Sequence, residues 1–596
     1  MADCQGGTTS LSSIGKCATS SCSCHGLETP ALRQAQEDLF MDNPSEGQAR
    51  EWKEQYRLTT KEQPEHRRQR RNLSGIPLKP LYLPSDVRPS YDDALGFPGQ
   101  YPFTRGVYPS MYRGQQWSRR MLVGHEAPET WNARMRRMFA AGQTAASMVP
   151  CNVIVRGFDV DEVDKHLVGT CGTPVCTIRD IEICYEGMPI DRLSVAFQDM
   201  APFTAVAMYL AMAKRRGVPV SSLRGTTAQS DFISHFIACH LAFRIALEGQ
   251  PRLLVDHVKY CTQHMPHWNP VSILGQNLQQ AGATPLQELA FTLSVGIFYV
   301  DLLTKAGLPV DSFAPRFTFF FDVTSSLFEE VAKFRAARRI WAKVLKERFG
   351  AKDPRSLRMK FHAQTSGREL IREQAMNNVT RVSMQALGAV LGGCQSLHTD
   401  CWDEPFGAPA EEAARLALMT QNVIAEETGV ADVIDPLGGS YYVEALTDEM
   451  EQRAWGYIER IDAMGGMLEA TKRGFPHAEI ARSSLEYQRA IDRGERVLVG
   501  LNAYQVPEDI DGRFTIERPD LALVESQIER TKAVRRERNA ARAQAAIDGL
   551  HRAFDDPQTN TFEAVLNAVE ADLTHGEIVR IFRERLGEGR TLTGIL

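Results

Sequence analysis

Residues 104–435 alternate short apolar runs with amphipathic stretches, which predicts an α/β fold: a (β/α)8 barrel with an N-terminal extended arm and a C-terminal helical region. Three observations carry this reading. Strand-length apolar runs recur: "NVIVRGF", "LSVAF", "VSILGQN", "RFTFFFDV", "RMKFHAQTSG" and "SLHTDC". Helix-length stretches separate them: "TAVAMYLAMAKRRG", "LQELAFTLSVGIFYVDLLTKAG", "SLFEEVAKFRAARRIWAKVLKERFG" and "ELIREQAMNNVTRVSMQALGAVLGG". Cap residues mark the joints, and so many strand–helix units favour a closed parallel barrel over an open sheet.

Taken in order, residues 1–75 are polar and charge-rich and form a flexible or helical extension ending in "EHRRQRRN". Residues 76–103 form the extended arm, because "SGIPLKPLYLPSDV" carries too many prolines for a helix or a central strand. The barrel follows at 104–435. Within it, Thr284 caps a helix that Pro285 begins. In the third helical stretch Ser326 and Glu329 form a capping box, while Val331, Phe334, Ala337, Trp341 and Val344 share one face and Gly350 stops the helix. Residues 436–500 are helical. Residues 501–596 hold the linker "NAYQVPEDI", one charged helix over 521–548 and a short helix in "THGEIVRIFRERLG", a region suited to subunit contact.

Composition narrows the class. The 596 residues are 43% hydrophobic and 24% charged, with a net charge of -6, so neither nucleic acid nor an anionic membrane is an expected partner. No apolar run approaches the roughly eighteen residues of a membrane span, and the N-terminus lacks the apolar core of a secretory signal. A cytoplasmic protein is expected. Cys4, Cys17, Cys22 and Cys24 cluster among Ser, Thr and Gly at no standard zinc spacing and read as part of a tail, not as a metal site. Cys151, Cys171, Cys176, Cys184, Cys239, Cys261, Cys394 and Cys401 read as small buried residues of a reduced protein.

In a parallel barrel, ligand chemistry sits where strands end. The predicted ends are polar: Gln276 and Asn277; Thr318; His362 with Gln364, Thr365, Ser366 and Gly367; His398 with Thr399 and Asp400. Singly each suits a helix cap; together they favour a ligand site.

Several stretches, in this order, resemble the large, substrate-binding subunit of adenosylcobalamin-dependent acyl-CoA mutases, the methylmalonyl-CoA mutase superfamily. They are "SGIPLKPLY", "TRGVYPSMYRGQQWSRR", "AAGQTAAS", "MPHWNPVSILG", "QQAGATPLQELAFTL", "FAPRFTFFF", "EVAKFRAARRIWAKV", "HAQTSG", "QSLHTDCWDE", "DPLGGSYYVE" and "THGEI", spanning roughly residues 74–580. The resemblance is strongest to two-component members acting on isobutyryl-CoA or 2-hydroxyisobutyryl-CoA. It implies a (β/α)8 barrel threaded by acyl-CoA and capped by a cobalamin-binding domain. It also implies radical migration of the carbonyl-CoA group to the neighbouring carbon, with the cofactor carrying the hard chemistry.

The resemblance implies roles position by position. Tyr108, Asn277 and Gln364 take catalytic places: Tyr108 shields the radical, Asn277 stands where the family has a histidine on the thioester carbonyl, and Gln364 lies near CoA or substrate. Met111, Arg120, Leu122, Gln229, Cys239, Arg316 and Thr318 take substrate places. Gly124, Ser147, Arg156, Asp400 and Glu404 take cofactor places, with Glu404 on the adenosyl ribose and Asp400 replacing an Asn. No metal is assigned to this chain.

The departures sharpen the reading. Leu122 replaces a second tyrosine and Cys239 replaces the arginine that clamps a substrate carboxylate. An unpaired buried carboxylate is costly, so a neutral, linear or branched acyl group is expected. Asn277 can donate a hydrogen bond to a carbonyl but cannot act as a general acid. Pro150, Cys151, Asn152 and Val155 replace aromatic, acidic and histidine residues of the cofactor-facing stretch. "DKHLVG", Asp164 to Gly169, mimics the cobalt-ligating Asp-x-His-x-x-Gly string but lies within the barrel and reads as coincidence. The chain carries no such motif at its C-terminus. The expected partner is therefore a small cobalamin-binding subunit, in a heterotetramer built on a homodimer of this chain. The alternative is a non-catalytic paralogue that assembles with an active subunit.

Overall fold

The computed structural model describes residues 46–62, 71–88, 95–124, 127–238, 244–506 and 518–590. The chain divides into two units, Met1–Arg68 and Gln69–Leu596. In the first lies helix α1, Glu46–Glu62, a charged helix with an Arg57–Glu54 pair one turn apart. Cys4, Cys17, Cys22, Cys24 and Cys239 lie outside the described residues.

Among its described residues the second unit has nine short parallel strands: β1 Ser118–Arg119, β2 Ala146–Met148, β3 Ser194–Phe197, β4 Arg224–Thr227, β5 Trp268–Asn269, β6 Val271–Leu274, β7 Phe317–Val323, β8 Lys360–Thr365 and β9 Ser396–His398. They pair in two sheets, β1-β9-β8-β7-β6 and β2-β3-β4-β5, in parallel register throughout. The sheets meet twice. Past β1 the chain continues to Val123, which bridges Met148 beside it. At the other junction β5 and β6 are one strand interrupted at Pro270, whose missing N–H cannot join the ladder. Counting β5 and β6 as one, strand order around the ring follows chain order, the arrangement of a (β/α)8 barrel. At the β4–β6 seam, side chains substitute for backbone acceptors. Ser230 Oγ accepts the Ser272 amide (3.0 Å) and Asp231 Oδ2 accepts the Leu274 amide (2.9 Å).

Helices α2 Pro128–Ala140, α3 Ile178–Cys184, α4 Thr204–Arg215, α5 Phe232–Ala238, α6 Gln250–His264, α7 Pro285–Lys305, α8 Leu327–Lys343 and α9 Asn377–Leu391 lie between successive strands, and α10 Glu411–Glu427 follows β9. The outward faces of the strands supply the core. Phe317, Phe319, Phe321 and Val323 of β7 pack against Trp341 and Phe334 of α8 and are buried with them. Thr284 caps α7 through the Gln287 amide, with Pro285 in the first turn, as the sequence predicts. After the barrel come α11 Tyr441–Ala463, α12 Phe475–Asp492, α13 Leu521–Glu537, α14 Ala540–Asp555, α15 Thr561–Glu570 and α16 His575–Leu586.

The structure corrects several expectations. "NVIVRGF" is not a strand: Asn152–Val155 form one helical turn, closed by the Val155 amide on the Cys151 carbonyl (2.9 Å). Val153, Ile154 and Val155 are all buried there, and a short apolar run buried on every side does not distinguish strand from helix. Ser326 and Glu329 do not form a capping box. The Glu329 carboxylate accepts the amides of Leu73 and Ser74 (2.9 Å each) and so fastens the N-terminal arm to α8. The charged helix over 521–548 is two helices, because Asn539 accepts the Arg542 amide and starts α14 as a cap. Thr318 lies at the start of β7, since that strand runs on to Val323. Helix α7 is, in length and mean hydropathy (1.4 over its best window), able to cross a membrane, but 83% of that window is buried inside the molecule. Cys171 is exposed, not buried.

Candidate functional site

The inward face of each strand is the alternate set of residues, those absent from the hydrophobic core. In β7 they are Thr318, Phe320 and Asp322; in β8, Lys360, His362 and Gln364; in β9, Ser396, followed by His398 at its end. Ser147, Ser194, Ala196, Thr226, Asn269, Ser272 and Leu274 continue the pattern on the other strands, and Arg120 and Leu122 on the run past β1. Aliphatic side chains normally fill this space. Here small and polar groups line it, and several buried polar atoms have no partner: Ser147 Oγ, Gln198 Oε1, Asn269 Oδ1, Asn277 Nδ2, His362 Nε2 and Asp400 Oδ2. Buried polar atoms are rarely left unpaired, so the lumen is built for a polar guest.

At the strand-start mouth the guest meets cations. Arg316 and Arg358 directly precede β7 and β8, and Lys360 opens β8. Lys360 Nζ donates to the Pro315 carbonyl (2.7 Å). Burial, with Arg316 and Arg358 beside it, pushes the lysine down to about 8. Arg316 is lowered by burial and by Arg355 and Arg224. Among the described residues no carboxylate pairs with Arg224, Arg316, Arg358 or Lys360. Tyr108 stands at this mouth, its ring 5.8 Å from the Arg358 guanidinium and 38% exposed.

At the strand-end mouth the guest meets acids and amides. A cavity of about 150 Å³ is lined by Leu122, Gly124, Arg134, Val149, Cys171, Gln364, His398, Asp400, Cys401 and Glu404, among others. The Leu122 amide donates to His398 Nδ1 (3.1 Å), which fixes the ring proton on Nε2, and that nitrogen faces Asp400 Oδ1 at 3.1 Å. Gln364 Nε2 donates to the same oxygen (3.1 Å). Burial holds His398 down to about 4 and lifts Asp400 to about 7, so at neutral pH the ring is uncharged and the acid titrates. Glu404, at the rim, is also raised, by its enclosure and by Asp400. Gly124 is required by space: a Cβ there would lie 2.7 Å from Val149 Cβ and 2.9 Å from Gly172 Cα.

Of the residues the sequence selects, the structure brings Leu122, Gly124, Gln364, Asp400 and Glu404 together in this cavity. Ser147 is fully buried on β2, and Asn277 opens the turn beyond β6, its Nδ2 buried without a partner. Arg120 lies deeper in the lumen, donating to Ser194 Oγ (2.8 Å) and the Ala146 carbonyl (3.4 Å); burial lowers it to about 10. Gln229 lines a separate pocket beyond β4 with His235 and Arg244. Arg316, Thr318 and Tyr108 lie at the opposite mouth, so Tyr108 is not brought to Asn277 and Gln364. Arg156 is exposed at the end of its helical turn, its carbonyl held by Arg583. Met111 does not face the lumen. Its side chain fills the space over Gly106 and reaches towards Gly393, in a pocket shared with Arg105, Arg338 and Asp435.

Sequence reasoning had His362 and His398 among the polar strand ends but missed Arg358 and Lys360 as site residues. The signal was available as alternation: in "KFHAQT" Lys360, His362 and Gln364 stand two apart and therefore on one face.

Comparisons with known proteins agree with this geometry. The family described as methylmalonyl-CoA mutase matches residues 71–588. The 2-hydroxyisobutanoyl-CoA mutase large subunit of Aquincola tertiaricarbonis is 39% identical over 521 residues, covering 87% of this chain and 92% of that protein. The methylmalonyl-CoA mutase of Cereibacter sphaeroides is 39% identical over 529 residues, covering 88% of this chain and 74% of that protein. The methylmalonyl-CoA mutase large subunit of Streptomyces virginiae is 37% identical over 533 residues, covering 87% and 72%. A polar barrel lumen with oppositely charged mouths, matched over most of its length to these isomerases, places the chain in the methylmalonyl-CoA mutase family of adenosylcobalamin-dependent acyl-CoA mutases.

Proposed function

We propose that this chain is the substrate-binding, catalytic subunit of a two-component mutase that moves the carbonyl-CoA group of a neutral acyl-CoA to the neighbouring carbon. The observation that carries the reading is the lumen itself. It joins a mouth of unpaired cations, suited to the CoA phosphates, to a cavity of amides and acids suited to the reacting end. The partner is a small cobalamin-binding subunit, and a heterotetramer in the cytoplasm is the expected assembly. The relative from Aquincola tertiaricarbonis, itself named a large subunit, supports that organisation.

The strand-end residues fit the adenosyl part of the cofactor. Glu404 at the rim and the unpartnered Asp400 Oδ2 can accept hydroxyl hydrogen bonds, Ser147 Oγ is free to donate, and the absence of a side chain at Gly124 leaves the wall close-packed. Bound adenosylcobalamin supplies the radical chemistry. The chain's own residues do the rest. Arg316, Arg358 and Lys360 hold the phosphates; the Asn277 amide donates to the thioester carbonyl; Gln364, fixed by Asp400, faces the same cavity; and the enclosing barrel excludes water. Leu122 lines the acyl end with an apolar surface in place of a phenol.

A second reading has one observation in its favour. Arg120 is buried without a carboxylate partner, its Nε unpaired, and a substrate carboxylate would satisfy it. A single experiment separates the readings. The chain is combined with a cobalamin-binding small subunit, adenosylcobalamin and a panel of acyl-CoA thioesters, and isomeric products are resolved by chromatography. An isomer from a neutral thioester with none from methylmalonyl-CoA supports the first reading. The reverse supports the second, and no isomer from any thioester points to a non-catalytic assembly partner.

A further inference from the structure

Two cysteines meet in the wall of the strand-end cavity. Residues 149–151 and 171–173 run side by side: the Thr173 amide donates to the Val149 carbonyl (2.8 Å) and the Cys151 amide to the Thr173 carbonyl (3.0 Å). The approach is close enough that a Cβ at Gly172 would lie 2.3 Å from the Pro150 carbonyl oxygen. The intervening loop folds over the Cys151 sulfur, which accepts the Gly169 amide (3.2 Å) and lies 3.8 Å from the Leu167 carbonyl. The Cys171 side chain is the neighbour of that sulfur. Cys151 is fully buried, whereas Cys171 is exposed and lines the cavity with Leu122 and Asp400.

We propose that Cys151 and Cys171 form a redox-active dithiol that closes to a disulfide by exchange with a low-molecular-weight disulfide of the glutathione class.

The division of labour follows from exposure. Cys171 is reachable, and the neighbouring Cys151 thiol and Asn152 amide favour its thiolate, which draws it down while Cys151 is driven up. The Cys171 thiolate attacks one sulfur of the small disulfide. A mixed disulfide forms and the first small thiolate leaves. Cys151 then gives its proton to that thiolate and attacks the Cys171 sulfur, releasing the second small thiolate, which takes from water the proton that Cys171 had given up. Two protein thiols are oxidised and one small disulfide is reduced to two thiols. Closure draws the Cys171 sulfur out of the cavity wall towards Cys151. The inference does not depend on the proposed reaction, because the thiols would exchange whether or not the chain isomerises a thioester.

The test uses the intact, folded chain. It is incubated with oxidised glutathione, free thiols are counted, and tryptic peptides are mapped by mass spectrometry. Cys151 falls in the peptide 138–156 and Cys171 in 166–179, with the bond assigned by fragmentation because Cys176 shares the second peptide. The expected result is loss of two thiols, a Cys151–Cys171 link between those peptides, and recovery on adding dithiothreitol. Cys151→Ser should stop at a stable mixed disulfide on Cys171, and Cys171→Ser should leave Cys151 unmodified. Failure of the wild-type chain to link these residues, or a link through Cys176 instead, overturns the proposal.

Discussion

The two mouths of the barrel solve opposite electrostatic problems. At the strand starts, Arg224, Arg316, Arg358 and Lys360 are gathered with no carboxylate in an ion pair with them among the described residues, which is unfavourable until an anion arrives. At the strand ends, buried acids are gathered, but the structure neutralises most of them itself. Lys333 of α8 is wholly buried, donates to Glu288 and to the Asp322 carbonyl, and forms an ion pair with Glu330. Glu288 in turn accepts the Asp322 amide (2.8 Å), and Gln279 and Gln280 donate to the Asp322 carboxylate. One mouth is completed by its ligand; the other is largely complete before any ligand binds. Substitutions at the first should therefore change affinity, and substitutions behind the second should change stability.

The largest effect that would break this contrast is at Lys333. Lys333→Met leaves three buried acids without their cation and should destabilise the chain by about 3–5 kcal/mol, read from denaturant unfolding. A change below 1 kcal/mol would mean that the strand-end acids are not held by that ion. Next, Arg316→Ala should weaken binding of CoA by roughly 10–100-fold, the worth of one charge-assisted hydrogen bond pair, with little change in stability. Calorimetric titration at two salt concentrations checks this, since the loss should shrink as salt rises. Asn277→Ala removes one donor from the reacting end. It should lower kcat by about tenfold while leaving CoA affinity and unfolding unaltered, as steady-state kinetics of the assembled enzyme would show.

The smallest effect concerns pH. The carboxyls of Asp322 and Asp400 are raised by burial, each to about 7, so the folded chain retains protons that the unfolded chain has released. Stability should then fall as pH rises from about 6.5 to 8, a window above the range in which buried histidines such as His398 oppose the trend. Tm measured across that window should decline, and Asp400→Asn should flatten the decline.

The sequence made the barrel legible because strand and helix periods alternate cleanly from β3 onwards. It failed at "NVIVRGF", where apolar residues on every side erase the period. It also read Glu329 as a local cap, when a residue 255 positions earlier holds it; no local pattern encodes that partner. Within the site, His362, Gln364, His398 and Asp400 were legible as strand-end polar residues, and Glu404 through the family resemblance. Thr318 was displaced from its predicted end because β7 is longer than the motif within it. Lys360 was hidden by attention to ends, when the inward face of the whole strand carries the site.

The tie between Glu329 and the arm has a consequence for the order of events during synthesis. The Leu73 and Ser74 amides emerge from the ribosome about 255 residues before the carboxylate that fastens them. At roughly 5–20 residues per second, that interval is on the order of 10–50 s. Throughout it, Ile76, buried in the finished molecule, lacks the later-made part of the core that covers it. The earliest part of the folded unit to be made is thus among the last to find its place, and a nascent chain paused before residue 329 should expose the arm to added protease.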